Sequence, residues 1–417
     1  MEYWIDCTII VMLMTRILGK LIPSISMLSL ILGSAPGARS AQTAVDGNTA
    51  FALDLYGQLK SAPGNLFFSP YSISTCLAMT YAGARGDTAK QMSRVLHLDQ
   101  DQGKVNASFS KLQRQLSEAG NRKGIELSIA NSLWAQKGHS FLPAFLEIAR
   151  GDYQANVNQA DFIIEAEAAR GEINRWVAQA TKDKIQNILS PGSLTDMTRL
   201  VLANAIYFKG VWAKPYDKAE TASQPFHLST SRRTDAPLMH HFDNVRYMED
   251  TDFQAVELPY KGGELSMVIL LPRQADACGN LEKRLSPALL ARSLNQMKQQ
   301  NVEVFLPRFK LESGFDLNQA LTSMGMPDVF GPKSDFSGMD GTKLLYISGV
   351  FHKAWGEVNE EGTEAAAATA VVVTARAVAK LPPPPPVFRA DRPFVFFIRD
   401  TRSGSILFLG RLADPSL

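Results

Sequence analysis

A chain of 417 residues, 45% hydrophobic and 20% charged, carries enough apolar side chains to bury a large core and is not a disordered polyelectrolyte. Its 43 basic and 41 acidic side chains leave a formal charge of +2 without a long basic run, which excludes the electrostatic footprint of a nucleic-acid binder. Three cysteines, Cys7, Cys76 and Cys278, stand in unlike settings and none has a CxxC partner, so neither a disulfide framework nor a metal site is expected.

The N-terminus reads as an address. Arg16 and Lys20 precede the apolar stretch Leu21 to Leu32, and small residues at Ala38 and Ser40 suit cleavage before Ala41. The stretch is shorter than the roughly 20 residues of a membrane-spanning helix. A leader over residues 1–40 is therefore expected, followed by a secreted protein with no membrane association. Glu2 and Asp6 fit poorly ahead of a charged n-region, so translation is expected to start at Met12 or Met14.

From Ala41 no low-complexity linker interrupts the chain before Pro382 and no repeat recurs, which predicts one domain over residues 41–417, acting as a monomer. Phe51, Leu55 and Leu59 recur at helix spacing. Ser69 and Pro70 open a second apolar helix through Ile73, Leu77 and Tyr81, on which Cys76 would be buried. Thr88 is expected to cap a third, carrying Met92, Val95 and Leu96, and a sequon starts at Asn106. No dense Lys/Arg stripe marks these helices. A later helix shows Ala169, Ile173, Trp176, Val177 and Ala180 on one side.

Strands follow. Leu200 to Phe208 is almost continuously apolar, as a strand covered on both faces must be. Leu265 to Leu271, Val302 to Leu306, and the pair Phe394 to Ile398 and Ile406 to Leu409 add more, so the class is α+β with large sheets. The polar run around Cys278 reads as surface loop. Adjacent His240 and His241 cannot share a helical metal-site face, and no GxSxG, HExxH or GxGxxG pattern occurs, so no enzyme, cofactor or metal site is expected.

One segment is chemically unusual. Glu360, Glu361 and Gly362 lead into Thr363, Glu364, Ala365, Ala366, Ala367 and Ala368, then Val371 to Thr374 and Arg376. An alanine-rich helix and a flexible linker into Pro382 to Pro386 are both open readings, although the β-branched run disfavours the helix. With Asn359 to Ala368 here, Asp391 to Phe396 beyond, Asn65 to Ser72 on the early helix, and Leu202, Asn204, Phe208, Lys209, Gly210 and Trp212 along the central strand, the chain resembles a serpin.

That resemblance implies a fold of helices around large mixed and antiparallel sheets, with a reactive-centre loop over about 360–386. It implies an inhibitor of serine proteases that offers Arg376–Ala377 as bait and traps the acylated enzyme by inserting the cut loop into a sheet. Arginine at the bait suits a pocket with an acidic floor, so the partner would be a trypsin-like protease held covalently, the inhibitor supplying no catalytic residue. Lys380 is the competing basic site. Every second residue from Thr363, namely Ala365, Ala367, Thr369, Val371, Val373 and Ala375, is uncharged and able to enter a packed sheet. Ser69, Ser72, Asn204 and His352 would form a polar cluster where the sheet parts, with Trp212 and Glu360 near its top; alone, His352 reads as a satisfied core histidine. The alternative within the fold is a noninhibitory carrier, chaperone or plain substrate.

Overall fold

The computed structural model describes residues 36–120, 124–362 and 384–417. Helices α1 (Pro36–Leu59), α2 (Pro70–Gly83), α3 (Gly86–Val95), α4 (Gln102–Gly120), α5 (Pro143–Gly151) and α6 (Phe162–Ala180) dominate the first half. The leader boundary expected before Ala41 falls inside α1.

Two sheets carry the strands β1 (Leu66–Phe68), β2 (Ile125–Gln136), β3 (Asn156–Ala160), β4 (Leu200–Gly210), β5 (Ala222–His227), β6 (Arg233–Glu249), β7 (Phe253–Pro259), β8 (Leu265–Pro272), β9 (Lys298–Pro307), β10 (Phe309–Asp316), β11 (Gly349–Val358), β12 (Val387–Arg389), β13 (Phe394–Asp400) and β14 (Ile406–Leu412). The larger runs β1-β14-β13-β8-β7-β6-β9-β12 with β5 on β6, and the smaller runs β10-β11-β4-β2-β3.

The smaller sheet is mixed. β11 pairs antiparallel with β10 but parallel with β4, from Gly349 opposite Val201 to Gly356 opposite Phe208. On one face Ile206, Phe208, Ala354 and Val358 meet Phe396, Phe408 and Leu258 of the larger sheet. On the other, Val201, Ala203, Tyr207, Phe351 and Trp355 are covered by Phe162, Ile173 and Val177 of α6 and by Ile185 and Leu189 beyond it. β4 is thus buried on both faces, which is why its sequence shows no polar alternation.

Every residue of α2 is buried, so it is apolar or small all round instead of amphipathic. Its hydroxyls bond back into the helix, Thr75 Oγ1 to Tyr71 O at 2.7 Å and Thr80 Oγ1 to Cys76 O at 2.9 Å. Cys76 sits on this helix as expected, and burial pushes its thiol up to about 12.

Two sequence expectations need correcting. Thr88 does not cap α3, whose N-cap is Arg85; its buried hydroxyl instead accepts from Asp335 N at 2.9 Å. Cys278 is not on a surface loop but begins the short helix α7 (Cys278–Arg284), where burial also pushes its thiol up to about 12. Asn106 of the sequon is buried, and its side-chain oxygen accepts from Tyr153 Oη at 2.8 Å.

Candidate functional site

The first half of the site is a turn. β11 ends at Val358, and Asn359 bridges antiparallel to Gly362 across Glu360 and Glu361. Gly362 has φ of +90°, and a Cβ there would lie 2.3 Å from Gly210 O and 2.3 Å from Trp212 N. Only glycine fits.

Residues just past the end of β4 clamp that turn. Trp212 donates through Nε1 to Asn359 O at 2.9 Å and through its backbone N to Glu361 O at 3.1 Å, while Tyr216 N donates to Glu360 O at 2.8 Å. Trp212 is itself held by stacking on Tyr260, ring centroids 4.6 Å apart. The Glu360 carboxylate is 2% exposed and accepts from Thr221 Oγ1 and Arg308 Nε, both at 2.6 Å. Burial pushes this carboxyl up, but the Arg308 and Thr221 hydrogen bonds outweigh it and hold it below its ordinary value. Lys218 Nζ reaches Glu361 Oε1 at 2.6 Å. Tyr207 of β4 and Trp355 of β11, partners across the parallel pair, line a cleft of about 460 Å3 beside the turn.

The second half lies deeper. His352 on β11, Asn204 on β4 and Asn131 on β2 are cross-strand partners at one level, and all are buried. Ser69 N donates to His352 Nε2 at 3.1 Å, so that nitrogen is bare and Nδ1 carries the proton that it gives to Asn204 Oδ1. Burial pushes His352 down to about 3, keeping the ring neutral. Asn204 Nδ2 reaches Ser72 O at 3.1 Å and also contacts Ser72 Oγ and Asn131 Oδ1. Ser69 is both the N-cap of α2, accepting from Ser72 N at 3.1 Å, and a donor to Leu407 O on β14. A buried network thus ties three strands of one sheet to α2 and to the other sheet.

Ser69, Ser72, Asn204 and His352 are therefore brought together, and Trp212 meets Glu360 and Gly362 at the other cluster. Asn131 escaped the sequence reading, as did Thr221 and Arg308; a lone asparagine within the apolar part of β2 was the one local signal. Arg376, Ala377, Lys380 and the hinge residues Thr363, Glu364, Ala365, Ala366, Ala367 and Ala368 lie outside the described residues. His240 and His241 sit on β6: His240 faces Glu303 at 3.1 Å, and His241 stacks on Tyr216 at 3.8 Å between centroids. Burial pushes His241 down to about 3.

Known proteins with this sequence pattern and fold are numerous. The profile described as "Serpin (serine protease inhibitor)" matches residues 46–415. A leukocyte elastase inhibitor of Xenopus tropicalis is 42% identical over 376 residues, covering 88% of this chain and 98% of that protein. Human serpin B3 is 38% identical over 390 residues, covering 89% and 99%. The crystal structure of uncleaved ovalbumin superposes with a TM-score of 0.80 at 30% identity, covering 89% of this chain and 100% of that one.

These relatives change two earlier statements. The expected secreted localisation does not stand, because the leukocyte elastase inhibitors that align along nearly their whole length are intracellular proteins. The absence of catalytic motifs is no ground for a role, and the family description names inhibition of serine proteases instead. With the profile spanning residues 46–415, relatives aligned along nearly their whole length and the mixed sheet in place, this chain belongs to the serpin family.

Proposed function

We propose that this protein inhibits serine proteases of trypsin-like specificity as a suicide substrate, with Arg376–Ala377 as the scissile bond. The observation that carries the reading is the parallel pairing of β11 with β4, topped by the tight turn at Asn359–Gly362. A segment that doubles back from β11 runs antiparallel to it. Because β4 is parallel to β11, the same segment is antiparallel to β4 as well, so it can enter between them and pair on both sides.

Extending the Asn359–Gly362 pairing residue by residue sets Thr363 opposite Val358, Ala365 opposite Gly356, Ala367 opposite Ala354 and Thr369 opposite His352. Val358 and Ala354 face the core between the two sheets. Partners in an antiparallel pair share a face, so the uncharged set would turn inward, with Glu364 outward beside Glu357. Insertion breaks one ladder and makes two. A net gain of one ladder the length of the present β11–β4 pairing contributes roughly 4–12 kcal/mol, on the scale of about 1 kcal/mol per hydrogen bond. The uncut form is then kinetically trapped.

The protease serine Oγ adds to the Arg376 carbonyl carbon; the bond to Ala377 N breaks and that nitrogen takes the proton, leaving an ester. Loop insertion then carries the esterified enzyme away before water reaches the acyl carbon. Several relatives are named for leukocyte elastase, and that name describes them; arginine at the bait supports a pocket with an acidic floor.

Incubation with trypsin and, separately, with an elastase tests this by denaturing electrophoresis and mass spectrometry. A denaturant-stable trypsin complex with a released peptide starting at Ala377 is expected. Cleavage without a complex refutes inhibition in favour of the noninhibitory reading, and a complex formed with elastase alone at another bond refutes the trypsin-like assignment.

A further inference from the structure

Two rings lie face to face beneath the clamp on the hinge turn. His241 of β6 stacks on Tyr216, centroids 3.8 Å apart and planes 15° apart. Tyr216 is 5% exposed and the His241 side chain 10%. Within the described residues neither ring nitrogen of His241, nor Tyr216 Oη, makes a hydrogen bond of good geometry. Stacking thus holds an imidazole that water would bond on both nitrogens. What Tyr216 carries makes this matter: its N–H donates to Glu360 O at 2.8 Å, and Trp212 N, four residues earlier, donates to Glu361 O at 3.1 Å. Segment 211–217 is therefore bonded to the turn and rests on His241.

The groups around the ring decide what a proton does there. Lys214, on the same segment as Tyr216, donates from Nζ to Phe242 O and opposes a second cation nearby. His240, set towards Glu220 and Glu303 at 3.6 and 3.1 Å, also opposes one, whereas the Pro215 carbonyl favours it. Asp243 Oδ2 is 4.0 Å from His241 Nε2, but burial pushes that carboxyl up and weakens it as a counter-ion in acid. Val304, opposite His241 on β9, brings no charge, and Glu360 and Glu361 of the turn are already bonded to Arg308, Thr221 and Lys218. Burial outweighs the rest and pushes the stacked ring down to about 3. A cation on the Tyr216 face would gain attraction but would give up its water.

We propose that the His241–Tyr216 stack is an acid-sensitive latch on the hinge: as pH falls, segment 211–217 lifts, His241 takes up a proton, and Glu360 and Glu361 lose their backbone clamp. Above about pH 6.5 neither the closed nor the lifted form is charged and the latch is shut. Below it only the lifted form binds the proton, so lifting becomes easier until the stacked ring itself titrates. Acid thereby changes how readily the segment after Gly362 can move into the sheet. That consequence rests on the inhibitory reading above, whereas the latch rests on the hinge contacts alone.

The test is amide hydrogen exchange of the intact, uncut protein at pH 7 and pH 5, corrected for the intrinsic pH dependence of exchange. Protection of the Trp212 and Tyr216 amides is expected to fall about 25-fold between the two pH values in wild type. H241F keeps a ring on Tyr216 without a titrating group, and H241Q is an uncharged polar replacement; in both the fall is expected to shrink to less than about twofold. H352Q is expected to keep the wild-type fall. Undiminished protection in wild type, or an equal fall in the His241 variants, refutes the latch, and so does a fall that disappears in H352Q, which would assign the response to the deeper polar cluster. None of these outcomes depends on whether a protease is trapped; a missing trypsin complex would remove the inhibitory reading and leave the latch standing.

Discussion

Acidification should weaken the polar cluster under the smaller sheet by an amount set by His352. Its ring is held at about 3 by burial, against about 6.5 in an unfolded chain. Above pH 6.5 neither state is charged and the group contributes no pH dependence. Below it the unfolded chain takes up a proton that the folded form refuses, so stability falls with pH until about 3. At pH 5 the difference reaches about 1.5 pK units, or about 2 kcal/mol.

The perturbation that isolates it is H352Q, whose amide can still accept from Ser69 N and donate to Asn204 Oδ1. The variant should be less stable at pH 7 by about 1–3 kcal/mol, because the amide fits the imidazole's site imperfectly. Its further loss between pH 7 and pH 5 should be smaller than that of wild type by about 2 kcal/mol. Urea midpoints of the uncut protein at the two pH values, read by fluorescence, give both numbers. His241 shifts in the same direction and acts equally in both proteins, so it cancels in the comparison. Equal losses in wild type and H352Q would refute the neutral, locked imidazole.

Two further outcomes follow from the turn. E360Q removes the charge from a carboxylate that is 2% exposed, but its partner Arg308 is 43% exposed, so the pair contributes only about 1–2 kcal/mol. Inhibitory activity should decay faster on warming, and an unchanged half-life would mean that Glu360 does not restrain the hinge. In the proposed insertion register, T363R would place a charge opposite Val358, whose side chain packs in the core between the two sheets. Trypsin should still cut at Arg376 while the covalent complex disappears; an undiminished yield would overturn the inward register.

The sequence was most informative where one residue type had one physical use. Ser69 followed by Pro70 marked the start of α2, and the unbroken apolar run from Leu200 marked a strand covered on both sides. Gly362 could be read only as part of an unusual segment, and its positive φ, packed against Gly210 and Trp212, gives the reason a glycine stands there. Asn131, Thr221 and Arg308 were not legible. The partners of Glu360 lie 52 and 139 residues away, and nothing local to a threonine or an arginine says that it will meet a buried carboxylate. Cys278 misled because its polar neighbours gave no helical periodicity, and α7 is too short to show one. Thr88 satisfied the rule for a cap yet was claimed by a distant backbone N–H at Asp335.

The placing of the tryptophans has a practical result. Trp212 touches the hinge directly, and Trp355 lies on β11 with Lys184 and Lys310 over its ring at 5.3 and 5.5 Å from the centroid. Opening the seam must alter the surroundings of both indoles, one losing a hydrogen bond and the other gaining a strand beside it. The molecule therefore carries its own optical probes, and the proposed loop insertion can be timed by emission without attaching a dye.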